Sequence, residues 1–124
     1  MASLRSAVAA VLCAVPAALG ANLLVSHYNG NVYSLSYTAP STLAIKHSLK
    51  AGGQMPSWLA FDSASRTVYV TDESGAMGGS TLTGVSVGTD GSLKVAATGR
   101  STGGEVHCSL YGGSDGKGFI AAAE

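Results

Sequence analysis

An internal repeat constrains this chain more than any other feature. Gly52-Gly53-Gln54-Met55 returns as Gly103-Gly104-Glu105-Val106, 51 residues later. At the same offset Leu59 meets Leu110, Ser63 meets Ser114, Arg66 meets Lys117 and Glu73 meets Glu124. A period of about 50 residues marks an architecture in which each unit buries its apolar face against the next. Within the period, no stretch after residue 21 holds a helical spacing for three turns. Short apolar and β-branched runs instead alternate with Gly, Ser, Asn and Asp clusters, which is the strand-and-turn signature. The runs cover 22–28, 32–37, 42–49, 57–61, 67–71, 82–87, 93–98, 108–111 and 118–123. Asn29-Gly30-Asn31, Thr89-Asp90-Gly91 and Asp115-Gly116 read as hairpin turns, because Asn, Asp and Gly tolerate positive φ. The prediction is an all-β meander with four strands per period, the size of a propeller blade. A small β-sandwich is the alternative.

Residues 1–20 stand outside this pattern. Arg5 and the free amine form a positive start, 7–19 is an apolar run, and Ala18 and Gly20 are small residues at a cleavage site. This is the layout of a helical secretory signal peptide cut after Gly20. The run is shorter than the roughly 20 residues of a membrane span. The predicted division is therefore a signal peptide over 1–20 and one β-domain over 21–124, secreted and free of the membrane after cleavage. Seven basic residues balance seven acidic ones. Losing Arg5 leaves six against seven, a net charge of −1. Such a chain offers no footprint for a nucleic-acid backbone or an anionic membrane. Cys13 leaves with the leader, and Cys108 in its apolar run is expected to be buried and inert.

Ser57-Trp58-Leu59-Ala60-Phe61-Asp62 and Val68-Tyr69-Val70-Thr71-Asp72-Glu73 resemble the first two strands of YVTN-type blades. Leu82-Thr83-Gly84-Val85-Ser86-Val87 and Gly91-Ser92-Leu93 resemble the third and fourth. Gly103-Gly104-Glu105-Val106-His107 and Gly116-Lys117-Gly118-Phe119-Ile120-Ala121 are similar to the opening of the next blade. In this order, over nearly all of 22–124, they resemble the seven-bladed propeller lactonases, especially secreted fungal members. That family includes 6-phosphogluconolactonase-like and carboxymuconate-cyclising enzymes. The resemblance implies a partial β-propeller of about two four-stranded antiparallel blades. Residues 22–49 would give the outer three strands of one blade, 57–98 a complete blade, and 108–123 the start of another. Seven blades need roughly 350 residues, so this chain reads as an N-terminal part of a ring. Taken alone it is expected to be inert and poorly soluble.

The resemblance also implies a substrate class, a lactone of a sugar acid or a related compound, with no cofactor. A non-catalytic scaffold that binds ligand or protein on the same rim is the second reading. In a four-stranded meander, the loops between strands two and three share a face with the connections between blades. His27, Tyr28, Asp72, Glu73, Arg100, Glu105 and His107 fall on that face, whereas Asp62, Arg66, Asp90 and Lys94 fall on the opposite one. Lactone hydrolysis needs an activated water and donors for an oxyanion. His107 and Glu105 are the catalytic candidates, as proton shuttle and base. His107 ranks first, because the resemblance places a similar His where an inner strand begins at the channel. Arg100 and His27 are the substrate-binding candidates, the Arg as an anion fork. Asp72 and Glu73 are adjacent in a strand and point to opposite faces, so a capping role suits them better than a dyad. Trp58 and Phe61 are expected between blades. The histidines at 27, 47 and 107 are too dispersed for a metal site, and none is predicted.

Overall fold

The structure, a computed structural model, describes residues 20–75, 80–101, 103–112 and 118–124. Among the described residues, nine strands form three antiparallel sheets. The first sheet holds β1 (Gly20–His27), β2 (Asn31–Thr38) and β3 (Thr42–Lys50) in that order. The second holds β4 (Pro56–Asp62), β5 (Thr67–Asp72), β6 (Thr81–Val87) and β7 (Leu93–Arg100). β8 (His107–Tyr111) and β9 (Phe119–Ala123) pair as the third. This is the predicted partial propeller: three strands of one blade, a whole blade, and the opening hairpin of another. The proposed leader falls on 1–20, of which only Gly20 is among the described residues; Gly20 opens β1. The Asp115-Gly116 turn also lies outside the described residues.

The repeat holds in the hydrogen-bond register. Asn31 pairs with Lys50, and Thr81 pairs with Arg100, 50 residues on. The β2–β3 ladder shifts between Ser34 and Leu35, and the β6–β7 ladder shifts between Gly84 and Val85, again 50 residues on. Thus β2 and β3 correspond to β6 and β7, β1 corresponds to β5, and the first sheet is a blade without its first strand.

Alternation decides what each blade buries. Val68 and Val70 of β5 face Val32 of β2, and Val85 and Val87 of β6 join them. Leu24, Leu49, Leu59 and Leu93 pack around this core. It therefore lies between the first and second sheets, blade on blade, each buried valine contributing about 1.5–3 kcal/mol. β3 and β7 are exposed along almost their whole length, as outermost strands should be. Two turns need glycine: Gly30 (φ +82°) and Gly91 (φ +87°) occupy the left-handed region, where other residues are strained. Both belong to hairpins read from the sequence. Cys108 is buried against neighbouring sheet, and that burial pushes its thiol pKa up, away from the reactive thiolate.

Candidate functional site

Two faces form at the ends of the strands. One carries the β4–β5 and β6–β7 turns, built for stability. Asp62 accepts hydrogen bonds from Ala64 N (3.0 Å) and Ser65 Oγ (2.6 Å), and Asp90 from Ser92 N (3.0 Å) and Ser92 Oγ (2.7 Å). These bonds hold both carboxyls below their ordinary pKa. Arg66 donates to Val87 O and Gly88 O, both at 2.9 Å. Two grooves open toward this face. One of about 410 Å³ lies between the first two sheets, lined by Leu24, Phe61, Arg66 and Val87. Another of about 380 Å³ lies beside the third sheet, lined by Asp62, Tyr69, Tyr111 and Phe119. Their partners are local turn groups and apolar side chains, and none of the predicted site residues lines either groove.

The other face is the rim where β1 ends and β4 and β8 begin. β4 packs against both β1 and β8; β4 and β8 are the first strands of their sheets, and β1 is the counterpart of the second strand β5. A directed chain of hydroxyls links the second sheet to the loop before β8 at this level. Trp58 N donates to Thr71 Oγ1 (3.1 Å), Thr71 Oγ1 lies 3.1 Å from Ser57 Oγ, and Ser57 Oγ donates to Glu105 O (3.1 Å). A hydroxyl has one proton to donate, so Thr71 gives its proton to Ser57 and Ser57 gives its own to Glu105. Ser26 Oγ of β1 donates to Ser57 O (3.3 Å). The network anchors the loop before β8, and with it the two catalytic candidates.

Glu105 is 4 % exposed, and its Oε2 is buried with no hydrogen-bond partner. A buried polar atom left unsatisfied costs roughly 1–3 kcal/mol, more when charged, and calls for a functional or structural reason. His107, two residues on, opens β8 half-buried. Its ring lies against Trp58, with centroids 4.3 Å apart at a 48° tilt. His27 ends β1 on the same rim, exposed, and its Nδ1 accepts Asn29 N (3.1 Å). That bond places the proton of the neutral ring on Nε2. Beside it Tyr28 Oη donates to Glu73 Oε2 (2.7 Å), and the bond and the charge of Glu73 raise the phenol pKa.

His107 and Glu105 therefore sit together at the start of the third sheet, His27 lies on the same face at the end of β1, and Arg100 does not join them. It ends β7, the outermost strand of its sheet. Three strand spacings, about 14 Å, separate β7 from β4. Arg100 occupies the place that Lys50 holds one repeat earlier, and Lys50 Nζ donates to Asn29 O (2.6 Å). At that earlier position the cation ties a strand end to a loop.

Two residues matter more than the sequence suggested. Asp72 is buried, and its Oδ1 accepts Met55 N (3.0 Å) and Ser74 N (3.1 Å). Gly53, at φ +72°, packs its α-carbon against that carboxylate. This is the capping role expected for Asp72, and it fixes the connection into β4. Trp58 is the second. A β-bulge between Pro56 and Leu59 sets Ser57 and Trp58 opposite Thr71, and the indole is 43 % exposed at the rim. It touches the neighbouring blade's His107, as an inter-blade residue should, while keeping much of its surface free. Among the described residues, no group of three His, Cys, Asp or Glu converges to hold a metal.

The model of the lactonase family, a seven-bladed β-propeller, matches residues 22–124. The chain belongs to this family. The match spans all nine strands after the first two residues of β1 and includes every rim residue named above. The family explains the 50-residue register, the three-sheet series and the inner placement of β4 and β8 together. None of the curated proteins or solved structures compared with the chain matches it significantly.

Proposed function

We propose that the inner rim binds the ring of a sugar-acid or related lactone, and that the activity of the whole propeller is hydrolysis of that lactone by a secreted protein. One observation carries the reading: the unpartnered buried oxygen of Glu105, two residues before His107, at the start of the third sheet of a lactonase-family chain. In the proposed step His107 takes a proton from water, and the oxygen adds to the lactone carbonyl. The tetrahedral oxyanion collapses with cleavage of the ring C–O bond. The imidazolium returns its proton to the departing alkoxide, leaving an open hydroxy acid. Glu105 is the second candidate base in this step, and general acid–base help of this kind accelerates a reaction by about 10²–10⁴-fold. His27 Nε2 offers a donor to the substrate. Arg100, on the outer strand, is left to steer anions toward the rim.

The rim brings few donors to the oxyanion, so binding is the first test. A sugar-acid δ-lactam keeps the ring and resists hydrolysis. Titration calorimetry should show it binding to the 124-residue chain, and His107→Ala should weaken binding about three- to tenfold, the loss of one hydrogen bond. Unchanged affinity in His107→Ala would remove the rim from the reading.

A further inference from the structure

We propose that Trp58 is the ring-recognition platform of this site, and that it separates the closed lactone from its open-chain product. The inference rests on the rim reading above and adds a specificity-determining residue. Three independent observations support it. The first is the bulge. In the β4–β5 ladder Pro56 pairs with Asp72 and Leu59 with Val70, so one residue too many stands on β4. Bulges re-aim side chains at sheet edges and beside functional sites. Here the strand interruption is held open by design: the Trp58 N–H, displaced from the ladder, is taken up by Thr71 Oγ1 at 3.1 Å.

The second is exposure. Trp58 is 43 % exposed, so part of the indole is open to a ligand at the rim. The third is the neighbour. His107 packs against the indole at 4.3 Å and 48°, a tilted contact that engages part of the ring system and holds the indole against rotation. The partly exposed indole is thus in direct contact with the catalytic candidate. A lactone ring is a compact disc with C–H bonds on its faces, and it can cover an indole face. Its open-chain hydroxy acid has no such disc and carries a carboxylate, which the electron-rich face of an indole disfavours. The platform therefore holds substrate beside His107 and releases product once the ring opens.

Trp58 is the single tryptophan of the chain, so its emission reports this site alone. The sugar-acid δ-lactam and the corresponding aldonate are titrated against wild type, Trp58→Phe and Trp58→Leu. Emission is read for wild type and calorimetry for all three, with far-UV circular dichroism to confirm folding. The lactam should change Trp58 emission and bind more tightly than the aldonate. Trp58→Phe should keep that preference, while Trp58→Leu should lower it about five- to tenfold. A merely structural tryptophan would weaken both ligands equally and leave the preference intact, which would overturn the proposal. Lactam binding that depends on His107 but leaves Trp58 emission and the Trp58→Leu preference unchanged would also overturn it, while sparing the rim reading. Absence of lactam binding would overturn both.

Discussion

Replacing Asp72 with Ala should unfold the connection between the first two blades. Its Oδ1 satisfies two backbone donors, Met55 N at 3.0 Å and Ser74 N at 3.1 Å, inside a site that is 1 % exposed. Truncation orphans both, at about 1–3 kcal/mol each. Water entering the space vacated by the carboxylate recovers part of this, so the expected loss is about 3 kcal/mol. Asp72→Asn keeps an oxygen at Oδ1 and loses only the charge assistance, which is about half the strength of such a bond; about 1 kcal/mol is expected. Urea unfolding followed by Trp58 emission at sub-micromolar concentration measures both. With a slope of about 1 kcal/mol per molar urea, the midpoint should fall about 3 M for Asp72→Ala and about 1 M for Asp72→Asn. If the wild-type midpoint lies too low to show the full drop, Asp72→Ala is simply unfolded in buffer and Asp72→Asn carries the comparison. An Asp72→Ala midpoint within about 0.5 M of wild type would refute the capping role, as would an Asp72→Asn midpoint as low as that of Asp72→Ala.

Further outcomes follow from other residues. Gly53→Ala forces a side chain into the left-handed region and into the Asp72 carboxylate, so it should cost about 2 kcal/mol or more in the same urea assay. The carboxyls of Asp62 and Asp90 should titrate below their ordinary value by NMR. Because their folded pKa is depressed, the stability they give is present above the unfolded value of 3.8 and is lost as pH falls through the folded one; an ordinary titration would contradict the turn bonds. The Tyr28 phenol should ionise above its ordinary value, and Glu73→Gln should bring it down, read by ultraviolet difference spectra. β1, at a sheet edge, exposes Leu23 and Val25. The chain should therefore self-associate at higher concentration in sedimentation runs, and Val25→Lys should reduce this.

Much of the fold was legible in the sequence, because two periodicities agreed. Alternation placed the nine strands, and the Gly-Gly recurrence set the blade. Asn-Gly and Asp-Gly marked turns whose glycines do adopt positive φ. The site was harder. Arg100 and His107 are close in sequence, but the chain crosses there from the outermost strand of one blade to the innermost of the next. Sequence distance in a meander does not measure lateral distance. The exposure of Trp58 was hidden for another reason. A bulge breaks the two-residue alternation, and only pairing partners reveal it. The Thr71–Ser57–Glu105 chain joins the second sheet to the loop before β8, so no local pattern announces it.

The most direct measurement is a map of amide and indole NMR shifts on adding the sugar-acid δ-lactam to the chain. If the inner rim is the lactone site, the Trp58 indole N–H, Ser57, Glu105 and His107 shift together and saturate with one affinity. Shifts confined to Asp62, Asp90 and the grooves on the opposite face, or no saturable shifts at all, would contradict it.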